Sequence, residues 1–508
     1  MSAAKPRATI HIRRIDACVC AAAMLAAAAP ASADSGPAAA GQSPASAGTP
    51  SAFVEPLAAP RRVASPAKPA PALAASVAAV TSCADDGGFD TLRHAVLTAN
   101  TGGTIDLSGL PCNQITLISG AISVDVADLT IAGAGASRLT IDGNNAGRVF
   151  TKGGTGTLTL ADLTVAHGKV EADKAYGGCI YSKGSVTLNR SVVTSCTSLG
   201  QSAAFGGGIL SFVDVTLNES TVSNNTANAQ VGLDAAEDAV GGGIFTVYQL
   251  RMVGSTLSGN VSEAPTGKVY AGGSFSGYLQ VKYSTVSGNE AKSAGDIASE
   301  NISGGGAMFS SGDTLIFRST IDHNKADAFG ALRNPGDATT TTSIIQSTIS
   351  SNIGTLGIGA IYIGGKVTIA NSTIAFNVSG SVNPVNVFLG DTPTLQSNII
   401  ADNSPVDIDG GGVAAGGHNL IKVAGSNITV PAGTITLDPN LAPLAFNGGV
   451  NRTHAIGTGS PALGTGSNPS NWKTDQRGPP YPRKVGAVDI GAYEFEAGHI
   501  FGNGFDLD

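Results

Sequence analysis

The chain has 508 residues, a formal net charge of −8, 68 glycines, and only 13 % charged and 5 % aromatic residues. So little charge argues against a coiled coil or a charge-rich disordered chain, and no Lys/Arg block follows the first few dozen residues to make a nucleic-acid footprint. Many glycines beside short apolar runs point instead to an all-β fold with tight turns, either as a few domains or as one long repeat array.

At the N-terminus, Lys5, Arg7, Arg13 and Arg14 precede an apolar run, Ala17 to Ala29, and then Ala31-Ser32-Ala33. This is the order of a signal peptide with a small-x-small cleavage site, so 1–33 reads as a signal and the mature chain as beginning near Asp34. The run is too short to span a bilayer, and no second apolar segment of that kind follows. The expected location is outside the cell or on the outer surface of a bacterium, with no transmembrane span in the mature chain. Residues 34–80 are dominated by Ala, Pro, Ser and Gly; they cannot bury enough apolar surface to offset ordering and read as a linker.

Cys18 and Cys20 would leave with the signal, and Cys83, Cys112, Cys179 and Cys196 remain. An even number in an exported chain reads as two disulfides with three possible connectivities. The pairing adopted is local in sequence, 83 with 112 and 179 with 196; free buried thiols are the alternative. No Cys-x-x-Cys or His spacing suggests a metal site. Within an N-terminal cap, 81–114, Leu92, Ala95, Val96 and Ala99 share one helical face, and Asp90 is a suitable N-cap. Such a helix would cover the first coil of a solenoid, whose end otherwise exposes apolar surface and strand edges.

A repeat occupies 115–410. Ser220-Thr221-Val222-Ser223-Asn224-Asn225 returns from Ser255, Ser284, Ser319, Ser347 and Ser372, with diverged copies from Ser191, ending on Cys196, and around Ser397. Start-to-start spacings are 29, 35, 29, 35, 28, 25 and 25 residues. Short β-branched strands between Gly and Asn turns suit a coil that stacks on itself, each Val or Ile facing its counterpart in the next coil. The final Asn of each copy is expected to take the left-handed bend and to bond coil to coil, while loops after it absorb the variable spacing. A β-propeller would need more regular blades and a recurrent aromatic mark, and the chain has a single Trp. The expectation is an all-β, single-stranded right-handed parallel β-helix with a short N-terminal capping helix.

Two further stretches carry a resemblance. One runs Cys83-Ala84-Asp85-Asp86-Gly87, Thr91-Leu92-Arg93, Gly103 to Leu107 and Cys112. The other, at 411–495, holds Gly417-His418-Asn419, Asn447-Gly448-Gly449, Thr453-His454-Ala455, Thr474-Asp475-Gln476-Arg477-Gly478 and Gly486 to Glu494. Together with the repeats they resemble exported bacterial β-helix repeat proteins that end in a choice-of-anchor Q type region, with the pectin-lyase-like fold. The resemblance implies a Cys83–Cys112 bridge but no reaction. Leu463-Gly464-Thr465-Gly466 departs from that family, which commonly has Ile-Asp-x-Gly there. The tail, 496–508, resembles a short sorting or anchoring end.

The chain lacks the acidic and basic motifs of polygalacturonases. Its candidate catalytic residues are loop carboxylates, Asp238, Glu263, Asp296 and Glu300, with Asp234, Glu237 and Asp327 beside them. A glycosidase needs two or three carboxylates on one face, and a lyase needs acidic calcium ligands plus a Lys or Arg base. Charged loop residues more often only solvate loops. His323 replaces a small residue at a repeat corner, and Tyr181, Phe245, Phe275 and Phe309 follow successive Gly clusters as sugar-stacking or internal-ladder rings. The leading expectation is a monomeric, non-catalytic surface or secreted solenoid acting in adhesion or polysaccharide binding, with no cofactor and no metal. The alternative is a polysaccharide lyase or glycoside hydrolase acting on acidic glycans in a side groove, with calcium under the lyase form.

Overall fold

A computed structural model describes residues 80–230, 238–265, 267–293, 304–380, 384–390 and 392–496. The signal, nearly all of the linker and nearly all of the tail lie outside them, as do Asp234, Glu237, Asp296 and Glu300.

The described chain is a right-handed parallel β-helix. One coil shows the plan: Ser185–Asn189 on face I, Val192–Thr194 on face II, Thr197–Phe205 on face III and Ile209–Ser211 on face IV. Stacked coils make parallel sheets of 12, 12, 10 and 11 strands respectively, among the described residues. The first ladder strand, Gly103–Asp106, falls within the stretch read as the cap, and the last rung of face II is Leu420–Ile421.

Strand alternation builds the core. Val193, Val222, Leu257, Val286, Ile321, Ile349 and Ile374 all point inward and are fully buried. They lie in register from coil to coil, so each methyl group meets another at about the 4.8 Å strand spacing. The cap helix spans Leu92–Leu97, with Leu92, Ala95 and Val96 buried against the first coil. Its N-cap is Thr91, one residue later than expected, because Asp90 uses its backbone carbonyl to accept from Thr81 and Ser82.

The repeat Asn is placed differently from the sequence expectation. Positive φ falls on the residue before it: Asn224, Gly259, Gly288, His323, Ser351 and Phe376. The Asn itself, freed from the bend, turns inward and is buried. Asn225, Asn260, Asn289, Asn324, Asn352, Asn377 and Asn403 form a continuous ladder, each Nδ2 donating to the next Oδ1 at 2.8–2.9 Å. Asn403 ends it by donating to Asp407, a carboxylate acceptor. Buried backbone at a corner must find partners, and this ladder supplies them where the sheets cannot.

Both expected disulfides are present, Cys83–Cys112 and Cys179–Cys196. The second lies in the core where the Asn ladder begins, with Cys196 N donating to Asn225 Oδ1. For a loop of 17 residues, replacing both Cys179 and Cys196 by Ala should cost about 3 kcal/mol. Calorimetry of the double variant checks this; an unchanged melting temperature would show that the bridge does not constrain the unfolded chain.

The C-terminal residues do not extend the solenoid. They fold back as a strap along the outer side of face II. Thr285 Oγ1 donates to Asn451, Thr320 Oγ1 to the Arg452 carbonyl and Thr348 Oγ1 to Gln476, while Thr373 Oγ1 accepts from Ala492 N. Ala455, Ile456, Ala462, Ile490 and Tyr493 pack with Ile399, Ala401 and Leu420 of the last coils. The hydroxyl row of the repeat therefore serves as the strap's docking track.

Candidate functional site

The candidate site lies where faces III and IV join. Face III strands in the middle coils go out and return, forming a flat wing. Its outgoing legs include Thr226–Ala229 and Val261–Glu263, its returning legs Asp238–Val240 and Lys268–Tyr270. Between the legs lie Ala204, Ala227, Ala239, Ala264, Val269 and Ala291, small side chains that let two strands stack closely. The chain then turns sharply into face IV. At Gly241, φ is +66° and a Cβ would sit 2.2 Å from the Ile244 carbonyl, so only glycine fits.

Each face IV strand has three residues, the outer two inward and the middle one outward. The outward row, in register, runs Ser123, Thr151, Tyr181, Leu210, Phe245, Phe275, Phe309, Arg333, Tyr362, Phe388 and Asp409, the last accepting from Gly410 N and from Asn427 N and Nδ2. The returning wing brings Tyr176, Phe205 and Tyr270 beside it. Phe205, Phe245, Phe275 and Phe309 form a continuous ring ladder, with centroid spacings of 5.5, 5.2 and 4.9 Å. Those rings are buried beneath the wing; of the two roles expected for them, the internal ladder is what their burial supports. The rings towards either end of the row stay half-exposed. Tyr181 lies there under the Arg148 guanidinium, and Tyr362 and Phe388 stack at 5.7 Å with an interplanar angle of 12°.

Arg333 occupies the ring row itself. Its guanidinium carbon lies 5.5 Å from the Phe309 centroid and 5.0 Å from that of Phe329. Burial pulls its pKa down while the nearby Tyr270 and Tyr362 oppose that, and arginine remains a cation regardless. Burial raises the Tyr270 and Tyr362 hydroxyls, with Arg333 opposing the shift in each. Gly304 makes the space: a Cβ there would meet Arg333 Nη1 at 2.7 Å.

The two described carboxylate candidates do not converge. Asp238 is on the returning leg and Glu263 on the outgoing one, and both point away from the alanine layer between the legs. Asp238 neighbours Lys268 in register, and Glu263 neighbours Lys292. Burial raises the Asp238 carboxyl, with Lys268 opposing. Asp327 accepts from Thr355 Oγ1 and from Ser293 Oγ. His323 sits at an exposed corner with Nδ1 bonded to Asp322 at 2.5 Å, and Asp322 is also paired with Arg452 of the strap. Among the described residues, no group of three or more His, Cys, Asp or Glu is placed to hold a metal.

An open hollow of about 510 Å³ lies at the C-terminal end, lined by Gln396, His418, Thr465 and Ser467. Its polar groups bond each other, His418 to the Thr465 carbonyl and Gln396 to Ser467, so it reads as a seam between strap and coil.

No family model and no curated protein matches the chain. The crystal structure of pectate lyase Pel9A is similar to it over 83 % of this chain and 97 % of that one, at 15 % identity and a TM-score of 0.40. Among the described residues no helix is long and apolar enough to cross a membrane.

The polar residues of the C-terminal stretch that carry the resemblance have a structural job. Asp475 accepts from Arg477 N, Arg477 Nε and Glu494 N, and Asp489 accepts from Gly464 N and Phe495 N. Arg483 is fully buried beside Glu494. These charges knit the strap together out of water, where an isolated carboxylate would be costly. The backbone amide of Gly464 is held by Asp489.

Proposed function

We propose that the chain is an exported, non-catalytic solenoid that binds a polysaccharide along face IV, outside the cell or on its surface. The observation that carries this is the half-exposed pair Tyr362 and Phe388. They are parallel rings in successive coils, stacked on one another and partly open to solvent, which leaves an apolar surface for the C–H groups of a sugar to pack against. Two disulfides suit an oxidising compartment. The placement of Asp238 and Glu263 on separate legs, each beside a lysine, weighs against a paired-carboxylate hydrolase built on those two residues. The C-terminal strap, on this reading, stabilises the last coils and presents the tail to whatever anchors it.

Affinity electrophoresis of residues 80–508 against plant and bacterial polysaccharides, with and without calcium, tests the proposal. Retardation by at least one polymer is expected. The Tyr362→Ala/Phe388→Ala variant should lose about tenfold in affinity, roughly 1.4 kcal/mol, at an unchanged melting temperature. Unsaturated products or new reducing ends from any polymer would make the chain an enzyme and overturn the non-catalytic part.

A further inference from the structure

Among the described residues, the buried and half-buried arginines find oxygen acceptors, with one exception. Arg93 has Asp85, Arg148 the carbonyls of Tyr176 and Gly177, Arg318 has Gln346, Arg452 has Asp322, Arg477 has Asp475, and Arg483 the Asp489 carbonyl. Arg333 has only rings about it, and its Nε is fully buried without a hydrogen-bond partner. Its electrostatic neighbours are the Tyr270 and Tyr362 hydroxyls, neither of them anionic at neutral pH.

A guanidinium held between two aromatic faces keeps its plane but gains no compensating charge from them. A partly desolvated cation without a counterion is a standing cost, relieved when an oxyanion arrives. The planar fork suits a carboxylate, which can take two parallel N–H bonds. Tyr362 follows Arg333 in the same row, one coil along, and Phe388 follows Tyr362. An anionic group on Arg333 would therefore place the adjoining part of its ligand beside these half-buried rings.

We infer that Arg333 is a carboxylate-binding residue and that face IV selects polymers carrying uronate-type carboxylates over neutral ones. This rests on the proposal that face IV binds polysaccharide. The dense charge of nucleic acid is disfavoured by the chain's net −8; a carboxylate attached to a sugar ring satisfies both the fork and the rings.

The test compares polygalacturonate and alginate with their esterified forms, which keep the backbone and lose the charge, by affinity electrophoresis and calorimetry. Wild type should bind the acidic polymers about tenfold more tightly than the esters, as a charge-assisted bidentate contact provides. Arg333→Met should erase that preference, bringing acid and ester binding to the same strength. Arg333→Lys, which keeps charge but not the fork, should retain only part of it, and the melting temperatures of both variants show that they fold. Equal binding of acid and ester by wild type, or an equal loss on both in Arg333→Met, overturns the carboxylate assignment and leaves the face as a general glycan site. Binding that ignores the Tyr362→Ala/Phe388→Ala change overturns the face itself.

Discussion

Replacing Asn324 by Ala is expected to destabilise the β-helix by about 3–5 kcal/mol, among the largest effects of any single polar substitution in the chain. The side chain is fully buried at the middle of the ladder. Its Nδ2 donates to Val286 O at 3.0 Å and to Asn352 Oδ1 at 2.9 Å, and its Oδ1 accepts from both Asn289 N and Asn289 Nδ2 at 2.9 Å. Truncation leaves those two donors without their acceptor and opens a gap too enclosed for the neighbours to find substitutes. Each stranded buried donor costs roughly 1–3 kcal/mol. Asn228→Ala, on the outgoing leg of the wing and partly exposed, is the control and should stay within about 0.5 kcal/mol. Urea unfolding followed by far-ultraviolet circular dichroism measures both. A loss below about 1 kcal/mol for Asn324→Ala would mean that the ladder adds little beyond the backbone pairing.

The second large effect concerns the strap and depends on pH. Glu494 is fully buried, and burial together with the nearby Asp489 pushes its carboxyl up to about 7, despite Arg483. Burial likewise raises Asp475 and Asp489. A carboxyl whose pKa is higher in the folded state than in the unfolded chain favours folding when protonated. Its contribution is therefore fully present below the unfolded value and is lost as pH rises through about 7. Strap stability should fall between pH 5 and pH 8, by roughly 3 kcal/mol from Glu494 alone. Arg483→Met removes the cation and leaves the carboxylate uncompensated. At pH 8 this variant should lose about 3–5 kcal/mol, whereas at pH 5, where Glu494 takes up its proton, the loss should be much smaller. Protease sensitivity of the strap across pH reads both. A pH-independent penalty in Arg483→Met would show that packing, not charge, is what Arg483 provides.

Much of the architecture was legible because a solenoid writes its tertiary contacts into a short-range period. Val222, Leu257, Val286 and Ile321 recur at matching repeat positions in the sequence and stack in register in space. The misplaced bend at Asn225 shows the limit of residue preference. Asn tolerates left-handed geometry, but a buried amide that can bond coil to coil is worth more inside, so the bend moves to Asn224. The candidate carboxylates illustrate another limit. Asp238 and Glu263 both read as loop carboxylates after Asn corners, but they stand on separate legs of the wing, the returning and the outgoing one, each beside a lysine in register.

Arg333, Tyr362 and Phe388 were missed, although a signal existed. Tyr362 precedes Ser372 by ten residues, as Phe245 precedes Ser255. Counting back from each repeat Ser would have extended the ring row by Tyr362. Arg333 escapes even that count, since it stands 14 residues before Ser347, the extra length being taken up by the turn around Pro335 to Thr340.

By itself the amino-acid sequence determined the β-helix and its coil-by-coil core, because strand alternation and stacking of like on like act over one repeat; it left three disulfide connectivities open, and the structure shows the local one. Only the tertiary structure decided that the wing buries the middle rings and leaves Tyr362 and Phe388 partly open, that Arg333 lies among rings without an acceptor among the described residues, and that the C-terminal residues return along face II. Those outcomes depend on which surfaces meet between distant segments, such as Thr348 and Gln476, and no local pattern encodes where an excursion of variable length comes back.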